Sequence, residues 1–207
     1  MNEIKDAYDQ WAGRYDEEEN RTRDVDSQVM QEYEDLFDDA VVLECGCGTG
    51  KNTTMIAERC LKVVGMDFSE QMLAIASEKV SGESVVFLQQ DLNDAWLIED
   101  KVVDTVVFNL VLEHIENIKH VFSEAFRVLK DGGGLLISEY HPQRQAQGKG
   151  ARFIKENGEE EQVPFFAHNA DQFAKAAEGL GFEFIELNDW CADGEDDPRV
   201  LSMLFVK

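Results

Sequence analysis

The chain has 207 residues, 43 of them acidic and 19 basic, which gives a formal net charge of −24. This length suits one well-buried domain, and the negative charge disfavours nucleic acids and anionic membranes as partners. Apolar runs fall short of the roughly 20 residues that cross a bilayer, and the acidic N-terminal stretch does not resemble a signal peptide. We expect a cytoplasmic, single-domain protein over residues 1–207, whose oligomeric state the sequence leaves open.

The N-terminal stretch is predicted to be helical. Ile4, Tyr8, Trp11 and Tyr15 recur at helical spacing and give an amphipathic helix over residues 2–18 with a mostly aromatic stripe. The acid-rich stretch that follows carries a second helical stripe, and we expect its acids to face water. The aromatic stripe has two interpretations, a lid over a ligand or packing against the core. We assign residues 1–39 to a helical lid.

Beyond residue 40 the pattern predicts an α/β fold. Apolar strands alternate with helical stretches, which indicates parallel strands joined by right-handed crossovers, with helices on both faces. Two closing strands with no helix between them predict an antiparallel pair at the sheet edge. The predicted strands lie near 41–45, 62–67, 84–90, 103–110, 134–140, 182–187 and 200–206. The predicted helices lie near 50–60, 69–80, 117–130 and 169–180.

A glycine-rich turn follows the first strand. Glu44 precedes a Gly-x-Gly-x-Gly sequence that begins at Gly46 and ends at Gly50, and the next strand ends in Asp67. Glycines here let the strand reverse into a helix and let the backbone approach a ligand. A nicotinamide or flavin fingerprint would place its third glycine at Lys51. The pattern therefore favours a different nucleotide-type cofactor.

Glu-x-Gly-x-Gly-x-Gly at a strand end resembles the class I S-adenosylmethionine (SAM)-dependent methyltransferases. The segment from Tyr8 to Asp16 also resembles the Tyr-Asp-x-x-Ala-x-x-Tyr-Asp leader of the ubiquinone/menaquinone-biosynthesis-type, or type 11, group. The resemblance implies a Rossmann-like, doubly wound seven-stranded sheet, mostly parallel with an antiparallel last strand. It also implies SAM as cofactor and S-adenosylhomocysteine (SAH) as product, with residues 40–140 as the SAM-binding core.

The resemblance further assigns cofactor contacts at successive strand ends. Asp67 matches the acid that accepts hydrogen bonds from both ribose hydroxyls, and Asp91 matches the residue that accepts from the adenine amine. The loop from Asn109 to His114 would lie beneath the methionine part. The predicted cofactor contacts are Trp11, Tyr15, Glu44, Gly46, Cys47, Gly48, Gly50, Asn52, Asp67, Phe68, Met72, Asp91, Leu92, Asn109, Leu110 and His114.

A long connection, residues 141–168, separates the core from the last helix and edge strands, 169–207. Connections of four to six residues are usual, and we predict that this longer one caps the acceptor. Its first part is basic and contains no acid, and Asn157-Gly158 predicts a hairpin between 151–155 and 162–166. The basic residues either bind an anionic acceptor or pair with the protein's own acids. The predicted substrate contacts are Tyr8, Tyr140, Arg144 and Arg152.

Methyl transfer from a sulfonium depends mainly on holding donor and acceptor in line. A hydroxyl acceptor would also need a base, for which His141 and His168 are the candidates. A carboxylate acceptor would need none. The alternatives are that His141 forms a turn before Pro142 and that His168 caps a helix. The cysteines and histidines lack the spacing of metal ligands, and we expect no metal.

We therefore predict a SAM-dependent methyltransferase that acts on a small-molecule acceptor at oxygen or carbon. A catalytically silent SAM-binding regulatory or partner subunit is one alternative, because the cofactor motifs could persist without turnover. A protein methyltransferase is a second, since the acidic surface could recruit a basic tail. A dinucleotide oxidoreductase is the least favoured.

Overall fold

The computed structural model describes residues 2–155 and 158–207. Its strands are β1 (Val41–Cys45), β2 (Lys62–Asp67), β3 (Val85–Gln89), β4 (Val103–Asn109), β5 (Leu129–Tyr140), β6 (Arg152–Ile154), β7 (Glu160–Gln162), β8 (Glu183–Trp190) and β9 (Val200–Val206). Its α-helices are α1 (Asn2–Trp11), α2 (Arg21–Glu32), α3 (Lys51–Ala57), α4 (Glu70–Lys79), α5 (Ile118–Val128), α6 (Pro142–Ala146) and α7 (Ala170–Glu178).

Seven strands form one sheet in the order β3-β2-β1-β4-β5-β9-β8. The pairs among β1 to β5 are parallel, whereas β9 lies antiparallel between β5 and β8. The predicted Rossmann-like sheet with an antiparallel last strand is therefore confirmed. The order reverses between β1 and β4, and ligands of such sheets bind at this point, beyond the carboxyl ends of the strands.

The core lies on both faces of the sheet because successive strand residues face opposite sides. Phe108 of β4 belongs to the apolar cluster that contains residues of α5 and α7. Its neighbour Val107 belongs to the cluster that contains residues of α2 and α3. Both side chains are fully buried. This arrangement fixes the central strands, whose ends carry the site.

The N-terminal helices are shorter than predicted. The first ends at Trp11 and continues as a 3-10 turn over Ala12–Arg14. The second begins after Asn20, whose side chain accepts hydrogen bonds from the amides of Thr22 and Arg23. An N-cap of this kind satisfies backbone donors that the helix leaves free. The chain therefore turns between the helices and can cover the strand ends.

Two boundaries in the second half also differ from the prediction. Strand β5 begins at Leu129 rather than near residue 134, because Leu129 pairs with Val103 and the register then shifts before Gly134 pairs with Thr105. Helix α7 is capped by Asn169, which forms a reciprocal capping box with Gln172. The interpretation of His168 as the cap of this helix was therefore wrong.

The predicted hairpin is present, with a shorter second arm. Strands β6 and β7 pair antiparallel from Arg152–Gln162 to Ile154–Glu160, so the second arm precedes the predicted segment 162–166. Asn157, on which the turn prediction rests, lies outside the described residues. Phe153 and Val163 are buried with Trp11 in a small cluster. The hairpin region therefore packs against the N-terminal segment.

Candidate functional site

A cavity of about 680 Å³, including its open mouth, lies at the carboxyl ends of β1, β2, β3 and β4. Several lining residues were not predicted as cofactor contacts: Ile4, Tyr8, Gln90, Asn93, Val111 and Ile115. The predicted contacts that line it are Tyr15, Gly46, Gly48, Asp67, Phe68, Met72, Asp91, Leu92, Asn109, Leu110 and His114.

The glycine turn packs tightly against the loop after β4. Gly46 has φ +77°, and a Cβ atom there would lie 2.5 Å from Cγ2 of Val111. An L side chain at this position would meet both an unfavourable backbone conformation and a steric clash. Glycine is therefore required where the two turns meet at the cavity.

Asp67 occupies the end of β2 with its carboxylate held by backbone. Its Oδ2 accepts from the Gly48 amide and its Oδ1 from the Ser69 amide, both at 2.9 Å. Burial raises the pKa of Asp67 to about 6. An ionised carboxylate offers about four acceptor positions, so two are left for hydroxyl donors. This geometry suits a ribose diol.

Asp91 and Asn109 place further acceptor atoms at the cavity. Oδ1 of Asp91 accepts from the amide and the side chain of Asn93, at 2.9 and 2.8 Å. Oδ1 of Asn109 is buried and has no hydrogen-bond partner among the described residues. An unpaired buried acceptor is unfavourable, and a donor on a bound ligand would satisfy it.

Asp26 is a site residue that sequence reasoning missed. Its buried carboxylate accepts from Asn109 (2.8 Å), Ser138 (2.6 Å) and Asn52 (2.9 Å), and burial raises its pKa. The expectation that the acids of this segment face water was therefore wrong for Asp26. Because Asp26 lies in an acid-rich helix, no feature of the sequence distinguishes it from the neighbouring acids.

Five predicted cofactor contacts are not among the described residues that line this cavity. Glu44 is buried, accepts a 2.5 Å hydrogen bond from the Thr53 hydroxyl, and has its pKa raised by burial to about 8. Trp11 lines a neighbouring cavity instead. Cys47 is buried, Gly50 begins α3, and the Asn52 side chain donates to Asp26.

The segment from Tyr8 to Asp16 contacts the turns that follow β1, β2 and β4 through three side-chain hydrogen bonds. The Tyr8 hydroxyl lies 2.8 Å from Nε2 of His114. The Ser69 hydroxyl donates to Asp9 at 2.5 Å, and the Thr49 hydroxyl donates to Asp16 at 2.8 Å. These contacts anchor the segment across the cavity.

The Tyr8–His114 contact has a defined direction. Burial lowers the pKa of His114 to about 4, so the ring is neutral at pH 7 and carries one proton. Nδ1 lies 3.1 Å from the Pro164 carbonyl oxygen, which can only accept. The proton is therefore on Nδ1, and Nε2 accepts from the Tyr8 hydroxyl.

A second cavity of about 1,080 Å³, open to solvent, adjoins the first. Tyr8, Tyr15 and Leu110 line both cavities and form a shared wall. Of the predicted substrate contacts, Tyr8, Tyr140, Arg144 and Arg152 all line the second cavity. Its other basic lining residues are Arg21, Arg23, Lys149 and Arg199.

The basic segment was predicted either to bind an anionic acceptor or to pair with the protein's own acids, and its arginines have features of both. Arg144 lines the second cavity, and its Nη2 also donates to Glu195 at 2.8 Å and its Nε to the Pro198 carbonyl at 2.9 Å. Arg152 is exposed and lies 3.5 Å from Glu160. These arginines therefore pair with the chain's own acids while they face the cavity.

The two predicted catalytic histidines lie elsewhere. His141 caps α6, accepting from the Gln143 amide, and its Nε2 lies 3.1 Å from Asp189. His168 is buried, with Nε2 2.7 Å from the Ile115 carbonyl oxygen. Neither histidine is among the described residues that line the two cavities.

Glu113 is a second residue that sequence reasoning missed. It lines the second cavity, is 3% exposed, and its Oε2 has no hydrogen-bond partner among the described residues. Burial raises its pKa to about 7. The sequence feature that could have pointed to Glu113 as a site residue is its position beside His114, after the fourth strand.

The family model described as a methyltransferase domain, Methyltransf_11, matches residues 43–137, the segment that contains the glycine turn, Asp67, Asp91 and Asn109. Over this segment, a little under half of the chain, the protein is similar to the class I SAM-dependent methyltransferases of the type 11 group, and its fold is that of solved structures described as SAM-dependent methyltransferases. SAM is the cofactor of this family, and the free acceptor positions on Asp67 and the unpaired Oδ1 of Asn109 fit it.

Relatives of known sequence extend the similarity beyond that segment. An uncharacterized methyltransferase of Emericella nidulans is 25% identical over 90% of this chain and 78% of its own length. Phosphoethanolamine N-methyltransferase 2 of Caenorhabditis elegans is 28% identical over 77% of this chain. The chain spans only 36% of the latter and less than half of several other curated relatives.

A solved structure described as a DhpI-SAM-HEP complex shares the fold, with a TM-score of 0.75, 20% identity, and coverage of 98% of this chain and 94% of that one. Within residues 2–155 and 158–207, no helix has the length and hydropathy to cross a membrane. The same residues contain no group of three or more His, Cys, Asp or Glu arranged to hold a metal ion.

Gly46→Ala should weaken SAH binding at least tenfold and lower the free energy of unfolding by about 2 kcal/mol, because the new methyl group overlaps Val111. Isothermal titration with SAH and urea denaturation measure the two effects. Gly82→Ala is the matched control, since a Cβ there meets no atom within 4 Å. Wild-type SAH affinity in Gly46→Ala would contradict this reading of the turn.

Glu44→Gln should become progressively more stable than the wild type as pH rises from about 5 to 8.5. The folded Glu44 keeps its proton up to about pH 8, whereas the unfolded chain releases it near 4.5, so the wild type loses stability over this interval. We expect a relative gain of about 2 kcal/mol or more. Urea denaturation at both ends of the range, with exposed Glu83→Gln as control, measures it; a pH-independent difference contradicts it.

Proposed function

We propose that this protein transfers a methyl group from SAM to a small anionic molecule that binds in the second cavity. The observation that carries the proposal is the wall that the two cavities share, formed by Tyr8, Tyr15 and Leu110. A donor in the first cavity and an acceptor in the second would meet across this wall. The relative named for phosphoethanolamine and the fold neighbour that holds SAM with a second ligand support a small acceptor.

The chain's own residues would mainly position and enclose the reactants. SAM supplies an electrophilic methyl group on a sulfonium. Asp67 and Asp91 would orient the nucleoside by accepting hydrogen bonds, and the aromatic wall presents ring faces that attract a cation. We assign α1 and the segment after it the role of a lid, anchored by the Tyr8–His114 and Thr49–Asp16 hydrogen bonds. Positioning of this kind can supply about 7–11 kcal/mol of the barrier.

Glu113 is the candidate base if the acceptor loses a proton. It lines the acceptor cavity and has an oxygen without a partner in the described chain. Burial raises its pKa to about 7, which matches the operating range of a general base near neutral pH. We propose Glu113 for this role in place of His141 and His168, which lie away from the cavity.

The test is mass spectrometry of a small-metabolite extract incubated with the protein and SAM that carries a deuterated methyl group. We expect a labelled anionic metabolite from the wild type and at least about a 100-fold smaller signal from Asp67→Ala, which loses two hydrogen bonds to a charged group. Exposed Asp171→Ala is the control and should retain wild-type labelling.

Two outcomes would contradict the proposal. Tight SAH binding with no labelled small molecule and no labelled macromolecule would support the silent SAM-binding subunit. Label that appears only in protein, in a parallel incubation with the macromolecular fraction of the same extract, would support protein methylation. Either result removes the small-molecule acceptor.

A further inference from the structure

One carboxylate holds three guanidinium groups beside the second cavity. Glu195 accepts from Arg21 at 2.8 Å, from Arg144 at 2.8 Å and from Arg199 at 2.7 and 2.6 Å. The hydrogen bonds from Arg199 and Arg21 lower the pKa of Glu195 to about 2, so it remains ionised. We call Arg21, Arg144, Arg199 and Glu195 the arginine cluster.

The cavity keeps a positive surplus although the chain carries a net charge of −24. Six basic side chains line it. Among the described residues, four acids line the cavity or pair with these side chains: Glu19, Glu113, Glu195 and Glu160. Even with all four ionised, these acids are outnumbered by the basic groups. A protein this acidic has many carboxylates that could neutralise them, which points to an external anion.

The cationic groups are held in place before any ligand binds. Arg144 also donates to the carbonyl oxygens of Pro198 and Asp197, and its side chain is only 10% exposed. Arg23 donates to the carbonyl oxygens of Tyr15 and Glu18, and its guanidinium lies 4.1 Å from the centre of the Tyr15 ring. Pre-organised donors lose little conformational freedom when they bind an anion.

The positive charge of the cavity and the geometry of its hydrogen-bond donors favour one class of anion. Guanidinium groups offer forked N–H pairs that match phosphate and carboxylate oxygens. A phosphate monoester carries about −1.5 to −2 at pH 7 and three acceptor oxygens, whereas a carboxylate carries −1 and two. The three neighbouring guanidinium groups of the arginine cluster therefore match the dianion, with its three acceptor oxygens, better.

We propose that the acceptor is a phosphate monoester or a phosphonate, and that its dianionic group binds at the arginine cluster with Lys149 and Arg152 at the rim. This inference rests on the proposed function, because it places the opposite end of the acceptor at the wall formed by Tyr8, Tyr15 and Leu110. The arginine cluster thus sets acceptor specificity and leaves the donor cavity unchanged.

The test measures anion binding to the SAH-saturated protein by isothermal titration at pH 7.5, with ethyl phosphate, ethylphosphonate and propionate as probes. Ethyl phosphate or ethylphosphonate should bind at least tenfold more tightly than propionate, and the stronger of the two identifies the acceptor type. Affinity for ethyl phosphate should rise between pH 5 and 7 as its second proton, with a pKa of roughly 6, dissociates.

Arg144→Gln and Arg199→Lys should each weaken ethyl phosphate binding at least tenfold, the first by loss of charge and the second by loss of the fork, while SAH affinity stays unchanged. Arg59→Gln is the control, because Arg59 pairs with Asp35 and Asp38, outside both cavities. Equal affinity for ethyl phosphate and propionate, or wild-type binding in both cluster variants, would overturn the inference. Because no methyl is transferred in this assay, its result is separate from that of the labelling experiment.

Discussion

The close contact between the turns that follow β1 and β4 is the constraint on which the site depends. Where the sheet order reverses, the connections that follow the two neighbouring parallel strands leave toward opposite faces of the sheet, and a crevice opens beyond the strand ends. Gly46 lets the first turn lie directly against Val111 of the second. Asp26 then ties Asn109 of β4 to Ser138 of β5 and Asn52 of α3. The floor of the donor cavity is therefore fixed by packing and by one buried carboxylate.

The two neighbouring cavities differ in the charge of the side chains that line them. Asp67 and Asp91 face the first, which suits hydroxyl and amine donors and a cationic sulfonium. Arg23, Arg144 and Arg199 face the second, which suits an anion. The shared wall is made of aromatic and aliphatic side chains, Tyr8, Tyr15 and Leu110, which lie between the two sets of charges. Such an arrangement favours the approach of a cationic donor and an anionic acceptor toward each other.

The donor half could be predicted from the sequence because its signals are local. A glycine turn after an apolar strand and an acid at the next strand end lie within a short stretch, from Gly46 to Asp67. Both lie at the cavity in the structure. The mostly parallel seven-stranded sheet with its antiparallel last strand was likewise confirmed, since alternating strands and helices allow few topologies.

The acceptor half depends on contacts between distant parts of the chain. Arg21 and Glu195 meet across 174 positions, and Thr22 and Arg199 across 177. Local pattern carries no information about such pairs, so these residues were not singled out. The histidines were chosen for their chemistry, yet His141 caps a helix and His168 is buried against Ile115. Only its burial in the folded structure distinguishes Glu113 from an ordinary surface acid.

The proposed methyl transfer requires donor and acceptor to meet at the wall formed by Tyr8, Tyr15 and Leu110. A crystal structure of the protein with SAH and ethyl phosphate is the decisive test. We expect SAH with its ribose on Asp67 and its sulfur facing this wall, and the phosphate across the wall beside Arg144. A sulfur atom directed away from the wall, or phosphate bound outside the second cavity, would contradict it.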